Sequence, residues 1–122
     1  MTEKLKRWDI VMAEFGQDYD ETNLMQGYRP AIVFSRDRYN LFSPVIFLVP
    51  LTKQLKGIDR DYHVFVDKRD CIGYAGSGMA LVEQMRPVDR TFVKRRIGEV
   101  SEQRLRDKLE EAAVRFLGMK EK

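Results

Sequence analysis

The chain has 122 residues, 43% of them hydrophobic and 34% charged, with a formal net charge of +3. That is the size of one ordinary domain, read here as a single unit over residues 1–122, and it can build a core without a metal or disulfide staple. The mildly basic balance permits a nucleic-acid partner without demanding one, and the lone cysteine, Cys71, excludes an intrachain disulfide and fits a reducing, cytoplasmic setting. The polar N-terminus lacks a signal segment, and no apolar run approaches the roughly 20 residues of a membrane helix.

Residues 1–7 are polar and read as a frayed end. Over residues 8–15 polar and apolar positions alternate, so Trp8, Ile10 and Met12 are expected on one face of a first strand. Gly16 and Gly27 bracket a polar, acidic stretch longer than an ordinary hairpin connection. It reads either as a functional loop or as a plain surface loop. A second strand, about residues 29–35, opens in Gly27-Tyr28-Arg29-Pro30-Ala31-Ile32-Val33-Phe34. A residue before proline is pushed into extended geometry, and proline is tolerated at a strand's first residue or edge. Arg29 therefore stands at a strand mouth. Its planar, always charged fork suits a phosphate, or equally one of the chain's many carboxylates.

Residues 36–40 form a charged turn. Residues 44–50 follow as a strand without polar alternation, so both faces are expected to be covered, one by the core and the other by a helix or a second subunit. Thr52 falls just past its end. Residues 53–60 make a basic loop, 62–66 a short strand, 67–78 a loop ending in Gly76-Ser77-Gly78, and 79–86 another strand closed by Pro87. Asp89 can cap a helical turn, because its carboxylate accepts from an orphan N–H. A last short strand covers 93–98. Ser101 is the expected N-cap of a helix reaching Leu117, with Leu105, Leu109, Ala112, Ala113, Phe116 and Leu117 in one apolar stripe and Gly118 as its stop. Such a stripe packs on a core or forms a partner interface. About five or six short strands without regular strand–helix alternation argue against a parallel sheet. The expectation is a mainly β fold: a small, strongly bent antiparallel barrel with a C-terminal amphipathic helix.

Several chemistries find no support. There is no phosphate-binding glycine loop and no dinucleotide fingerprint. His63 and Cys71 have no ligand partners for a zinc site. A Ser-His-Asp triad could be assembled only around His63, which lies in an apolar strand and reads as a half-buried structural histidine. Cys71 lacks an adjacent cation to lower its pKa and reads as structural. What remains is Arg29 at one strand mouth, Thr52 at another strand end, and Glu83-Gln84 late in a third. A guanidinium, a hydroxyl, a carboxylate and an amide suit a phosphodiester and the base edges of an unpaired strand.

Three blocks give this pattern more weight. They are Gly27-x-Arg29-Pro30-Ala31-x-Val33, Ser43-Pro44-Val45-Ile46-x-x-x-Pro50-Leu51-Thr52, and Leu81-Val82-Glu83-Gln84-Met85-Arg86-x-Val88-Asp89. With Asp9-Ile10-Val11 and Ile97-Gly98-Glu99-Val100-Ser101, in this order and at these intervals, the chain resembles the MazF/PemK toxin endoribonucleases over about residues 7–118. The resemblance implies an SH3-like (CcdB/PemK-like) barrel assembled as a homodimer. It implies sequence-specific cleavage of single-stranded RNA with no metal or cofactor, inhibition by a cognate antitoxin, and contact with DNA only indirectly, through the antitoxin complex. It carries the catalytic roles onto Arg29 and Thr52, substrate contacts onto Gly27, Glu83 and Gln84, and a flap onto residues 16–27. The chain departs from the family at Trp8, where glycine is frequent, at Arg36, where some relatives have asparagine, and at Ser77-Gly78, where Asp-Ser is common. Two other readings are a same-fold toxin that poisons DNA gyrase without cutting RNA, and a passive RNA-binding barrel.

Overall fold

The computed structural model describes residues 4–16, 23–54 and 59–120. The middle of the predicted flap and part of the predicted basic loop, 17–22 and 55–58, lie outside the described residues. Among the described residues there are eight strands: β1 (Asp9–Glu14), β2 (Tyr28–Val33), β3 (Val45–Thr52), β4 (His63–Val66), β5 (Cys71–Ile72), β6 (Gly78–Leu81), β7 (Arg86–Asp89) and β8 (Val93–Val100). Two α-helices, α1 (Asp37–Asn40) and α2 (Gln103–Leu117), complete the set. The strands run β4-β6-β3-β2-β1-β8-β5 across one antiparallel sheet, with β7 also on β3.

The bend that makes this sheet a half-barrel is built on β3. One edge of β3 pairs with β2, from Val33↔Leu48 to Ala31↔Pro50. Its other edge changes partner, pairing with β7 up to Leu48↔Arg86 and with β6 from Leu51↔Ala80. The register jump between those pairings is the three residues of a 3₁₀ turn, Val82–Gln84. The single strand expected over 79–86 is therefore two strands with a corner between them. The turn is kept because Val82 drives its side chain fully into the core while Glu83 and Gln84 turn outward from it.

Two apolar layers result. Inside the bent sheet, Val11, Ala13, Ala31, Val33, Ile46, Leu48, Val88 and Val93 pack together. Leu5 joins them, so residues 4–7 are tied down rather than frayed: the Arg7 N–H donates to Asp37 Oδ1 at 2.7 Å and its Nε to the Phe34 carbonyl at 3.0 Å. The other face, with Ile10, Ile32, Val49, Leu51 and Val82, is covered by Leu105, Leu109, Ala112 and Ala113 of α2. β1 thus buries both faces, and Met12 is only partly buried. Trp8 carries φ +79°, a left-handed backbone that glycine adopts without cost. That conformation would suit a glycine. Here Trp8 is held by the Trp8 N–H to the Val33 carbonyl, the Val100 N–H to the Trp8 carbonyl, and an edge-on stack against Phe34.

Three further elements differ from expectation. The charged turn is the short helix α1, whose Asn40 is buried and bonded to Ser35. In β3 the Val45 and Phe47 side chains face outward, so along its first half no helix of this chain covers the second face. At the start of α2, Ser101 does not cap: its hydroxyl donates to the Asp70 carbonyl at 3.2 Å, and Glu102 holds the cap position. Phe116 and Leu117 lie at the exposed end of the helical stripe, and Gly118 at φ +68° ends the helix as expected. Asp89 caps the 3₁₀ turn Arg90–Phe92, accepting from the Thr91 N–H at 2.9 Å. No helix among the described residues is long and apolar enough to cross a membrane.

Candidate active site

The antiparallel register of β2 and β3 brings Arg29 and Thr52 together. Ala31 faces Pro50, and two residues further along each strand stand Arg29 and Thr52. Side chains alternate along a strand, so residues two apart share a face, and positions opposite in an antiparallel pair share it too. Both residues line one cleft of about 330 Å³ with Asn23, Leu24, Met25, Gln26 and Gln54. The cleft has one cation and no carboxylate among its described lining residues.

Each strand mouth fixes its side chain locally. Gly27 carries φ +81° with open space where a Cβ would sit, so the position needs glycine for its backbone conformation alone. Its N–H donates to the Gly16 carbonyl at 2.7 Å and its carbonyl accepts from the Phe15 N–H at 2.9 Å. This pair closes the neck of the 16–27 loop. Arg29 is half-buried, and its Nε donates to the Gln26 carbonyl at 2.5 Å. Among the described residues it makes no ion pair, so the carboxylate alternative is not realised there. Burial lowers the guanidinium pKa from its usual value. Thr52 is the last residue of β3 rather than the first beyond it, and it is buried. Its Oγ1 accepts from the Gln54 N–H at 3.2 Å, which leaves the O–H proton as the group to donate.

Glu83 and Gln84 diverge from the 3₁₀ corner. The Glu83 carboxylate reaches His63 of β4, Oε2 to Nε2 at 2.7 Å, and its Oε1 is buried without a protein partner among the described residues. The His63 side chain is buried and stacks edge-on against Tyr62. Gln84 turns the other way. Its Oε1 accepts from the Met25 N–H at 2.6 Å and its Nε2 donates to the Asn23 carbonyl at 2.9 Å. The structure thus joins Arg29, Thr52 and the 23–26 segment in one cleft, with Gln84 behind that segment and Glu83 turned toward β4.

Sequence reasoning missed Gln26 and Gln54. The Thr52-x-Gln54 spacing was a usable signal, because a threonine hydroxyl commonly accepts from the N–H two residues on. Nothing local signals the Gln84 bonds, whose partners lie 59 and 61 residues away. Among the described residues no group of three or more His, Cys, Asp or Glu stands together. Cys71 sits in β5, where burial and the carboxylates of Asp70 and Asp67 push its thiol up to about 11.

Fold and cleft together define a small antiparallel half-barrel protein with a polar, singly cationic pocket between two strand ends and a helix across its back. The chain belongs to the family of PemK-like, MazF-like toxins of type II toxin-antitoxin systems, whose model matches residues 6–116. It is 27% identical over 108 residues to the endoribonuclease EndoA of Bacillus subtilis, covering 88% of this chain and 90% of that protein. Its fold matches the crystal structure of MazF from Deinococcus radiodurans with a TM-score of 0.80 at 21% identity, covering 96% of this chain and 99% of that one. It also matches a mycobacterial endoribonuclease in complex with its cognate antitoxin, with a TM-score of 0.75 at 16% identity, covering 97% and 99% of the two chains.

Proposed function

We propose that this chain is a sequence-specific, metal-independent endoribonuclease that cuts single-stranded RNA and is silenced by a cognate antitoxin in the cytoplasm. The observation that carries the reading is the cleft lined by both Arg29 and Thr52, two residues beyond the Ala31↔Pro50 pair of β2 and β3. The similarity to EndoA supports the RNA substrate, and the antitoxin-bound mycobacterial neighbour supports the partner.

In the proposed reaction the RNA supplies its own nucleophile. The 2′-oxygen forms a bond to the adjacent phosphorus and the bond to the 5′-oxygen breaks, leaving a 2′,3′-cyclic phosphate and a 5′-hydroxyl. The attacking hydroxyl gives up its proton and the leaving oxygen takes one, so no water or metal-bound oxygen is consumed. DNA lacks that hydroxyl and cannot follow the route. Arg29 stabilises the charge that builds on the non-bridging oxygens; one preorganised donor of this kind is worth roughly 3–4 kcal/mol of barrier. Its pKa is lowered by partial burial, the direction that makes the guanidinium a better acid. Thr52, with its oxygen held by the Gln54 N–H, donates its proton to the same phosphate and keeps it in line.

The proposed working form is a homodimer. Val45 and Phe47 face outward from β3 and, with Tyr39 and Phe42 beside them in the chain, offer exposed apolar surface; Phe42 is 83% exposed. Apolar surface of this kind, when contiguous, marks an interaction site. Variants Arg29→Ala and Thr52→Ala test the catalytic assignment. Folded variants that have lost cleavage by about 100-fold or more support it. Normal cleavage by both removes it.

A further inference from the structure

Three elements distant in sequence close on residues 23–26. Gln84 grips the segment's backbone from two sides, accepting from the Met25 N–H and donating to the Asn23 carbonyl. Arg86 donates from its Nη2 to the Met25 carbonyl and lies over the Phe15 ring, 4.7 Å from its centroid. The Met25 side chain is buried against Met79 and Leu81. One residue on, the Gln26 carbonyl accepts the Nε proton of Arg29 at 2.5 Å.

We infer that Gln84 and Arg86 are positioning residues that set the orientation of the Arg29 guanidinium by way of the 23–26 backbone. The inference rests on the nuclease reading and adds the device that makes Arg29 competent. An arginine side chain has several rotatable bonds, and an unrestrained one loses its geometry over a phosphate. The Gln26 carbonyl removes that freedom only if the carbonyl is itself fixed. That carbonyl belongs to the Gln26–Gly27 peptide, whose N–H donates to the Gly16 carbonyl at 2.7 Å. The chain leading into that peptide is held from the other side, by Gln84, Arg86 and the buried Met25 side chain. Gln84 therefore acts behind the 23–26 segment, on the backbone, rather than by touching RNA.

The test compares the full-length chain with Gln84→Ala and Gln84→Glu. Glutamate keeps the acceptor for the Met25 N–H and loses the donor to the Asn23 carbonyl. On RNA at saturating concentration, kcat of Gln84→Ala falls on the order of 10- to 100-fold, because small misplacements of a catalytic group are amplified in rate. Gln84→Glu falls between the two. Affinity for an RNA whose scissile 2′-hydroxyl is methylated stays within about twofold of the parent, since no RNA contact is lost. In an Arg29→Lys background, which has no Nε–H to hold, Gln84→Ala costs less than about twofold, the signature of two residues acting as one unit. The Arg29 Nε–H signal in an NMR spectrum gives a readout independent of cleavage: it is protected from solvent exchange in the parent and loses protection in Gln84→Ala. A drop in RNA affinity with unchanged kcat, full additivity with Arg29→Lys, or an Nε–H whose protection ignores Gln84 overturns the inference. A parent chain that cuts no RNA sinks the nuclease reading alone, and the Nε–H signal still decides the positioning role.

Discussion

Gly78 should be as necessary to Thr52 as any residue lining the cleft. A Cβ built on Gly78 lies 2.7 Å from the Thr52 carbonyl oxygen and 3.4 Å from its carbonyl carbon. Ordinary contact between a methyl carbon and such an oxygen needs at least about 0.7 Å more, and a backbone oxygen in a ladder cannot swing aside. Gly78→Ala must therefore separate β6 from the end of β3. Overpacking of this kind costs roughly 1–3 kcal/mol, which lowers Tm by about 4 °C per kcal/mol in a domain of this size. The displaced residue is Thr52 itself, so cleavage should fall further than stability does, on the order of 100-fold for a shift approaching 1 Å. Leu109→Ala is the control. Leu109 is fully buried on the core-facing side of α2 and is not among the residues lining the cleft, and truncating it costs about 2–5 kcal/mol. Both variants are assayed on a fluorogenic RNA at 15 °C below their own melting temperatures. The expected result is a lower-melting but active Leu109→Ala and a folded but nearly inactive Gly78→Ala. Parental cleavage by folded Gly78→Ala would refute the reasoning, as would equal loss in the two variants.

Other outcomes follow from single contacts. Because its thiol is pushed up to about 11, Cys71 should resist iodoacetamide at pH 7.5 and react as the pH passes 10; rapid labelling at neutral pH contradicts the described burial. The same shift lowers stability as pH rises from the unfolded thiol value through the folded one, since the unfolded chain ionises first. The Asp89 pKa is lowered by the N–H and hydroxyl of Thr91, so its stabilisation exists above the unfolded carboxylate value and disappears as pH falls through the folded one. Urea midpoints of the parent and Asp89→Asn should differ at pH 7 and converge only once the pH has fallen below the lowered folded value of Asp89. Phe47→Asp, on the outward face of β3, should give a monomer by light scattering if that face joins two copies; an unchanged dimer places the interface elsewhere.

Much of this was legible in the sequence, for definite reasons. Pro30 and Gly27 announce the mouth of β2, since each restricts or frees the backbone independently of tertiary context. The α2 stripe and Gly118 are visible because helical period and left-handed caps are local. Asp89 reads as a cap for the same reason. The 3₁₀ corner at Val82–Gln84 was hidden, because Met79-Ala80-Leu81-Val82 reads as one extended run. Its interruption depends on β3 exchanging partners, a property of two distant strands. The unbroken apolar run of β3 said that a second face needs covering and not by what; Val45 and Phe47 are the residues on it. Gln84 shows the limit best. Nothing in its own neighbourhood announces that both ends of its amide hold backbone about 60 residues away.

End-group analysis of RNA cut in the presence of a chelator tests the central claim most directly. A guanidinium and a hydroxyl acting on a phosphate attacked by its own 2′-oxygen must yield 2′,3′-cyclic phosphates and 5′-hydroxyls, at a rate indifferent to EDTA. Products ending in 3′-hydroxyls, or cleavage that begins only when Mg²⁺ is returned, would contradict it.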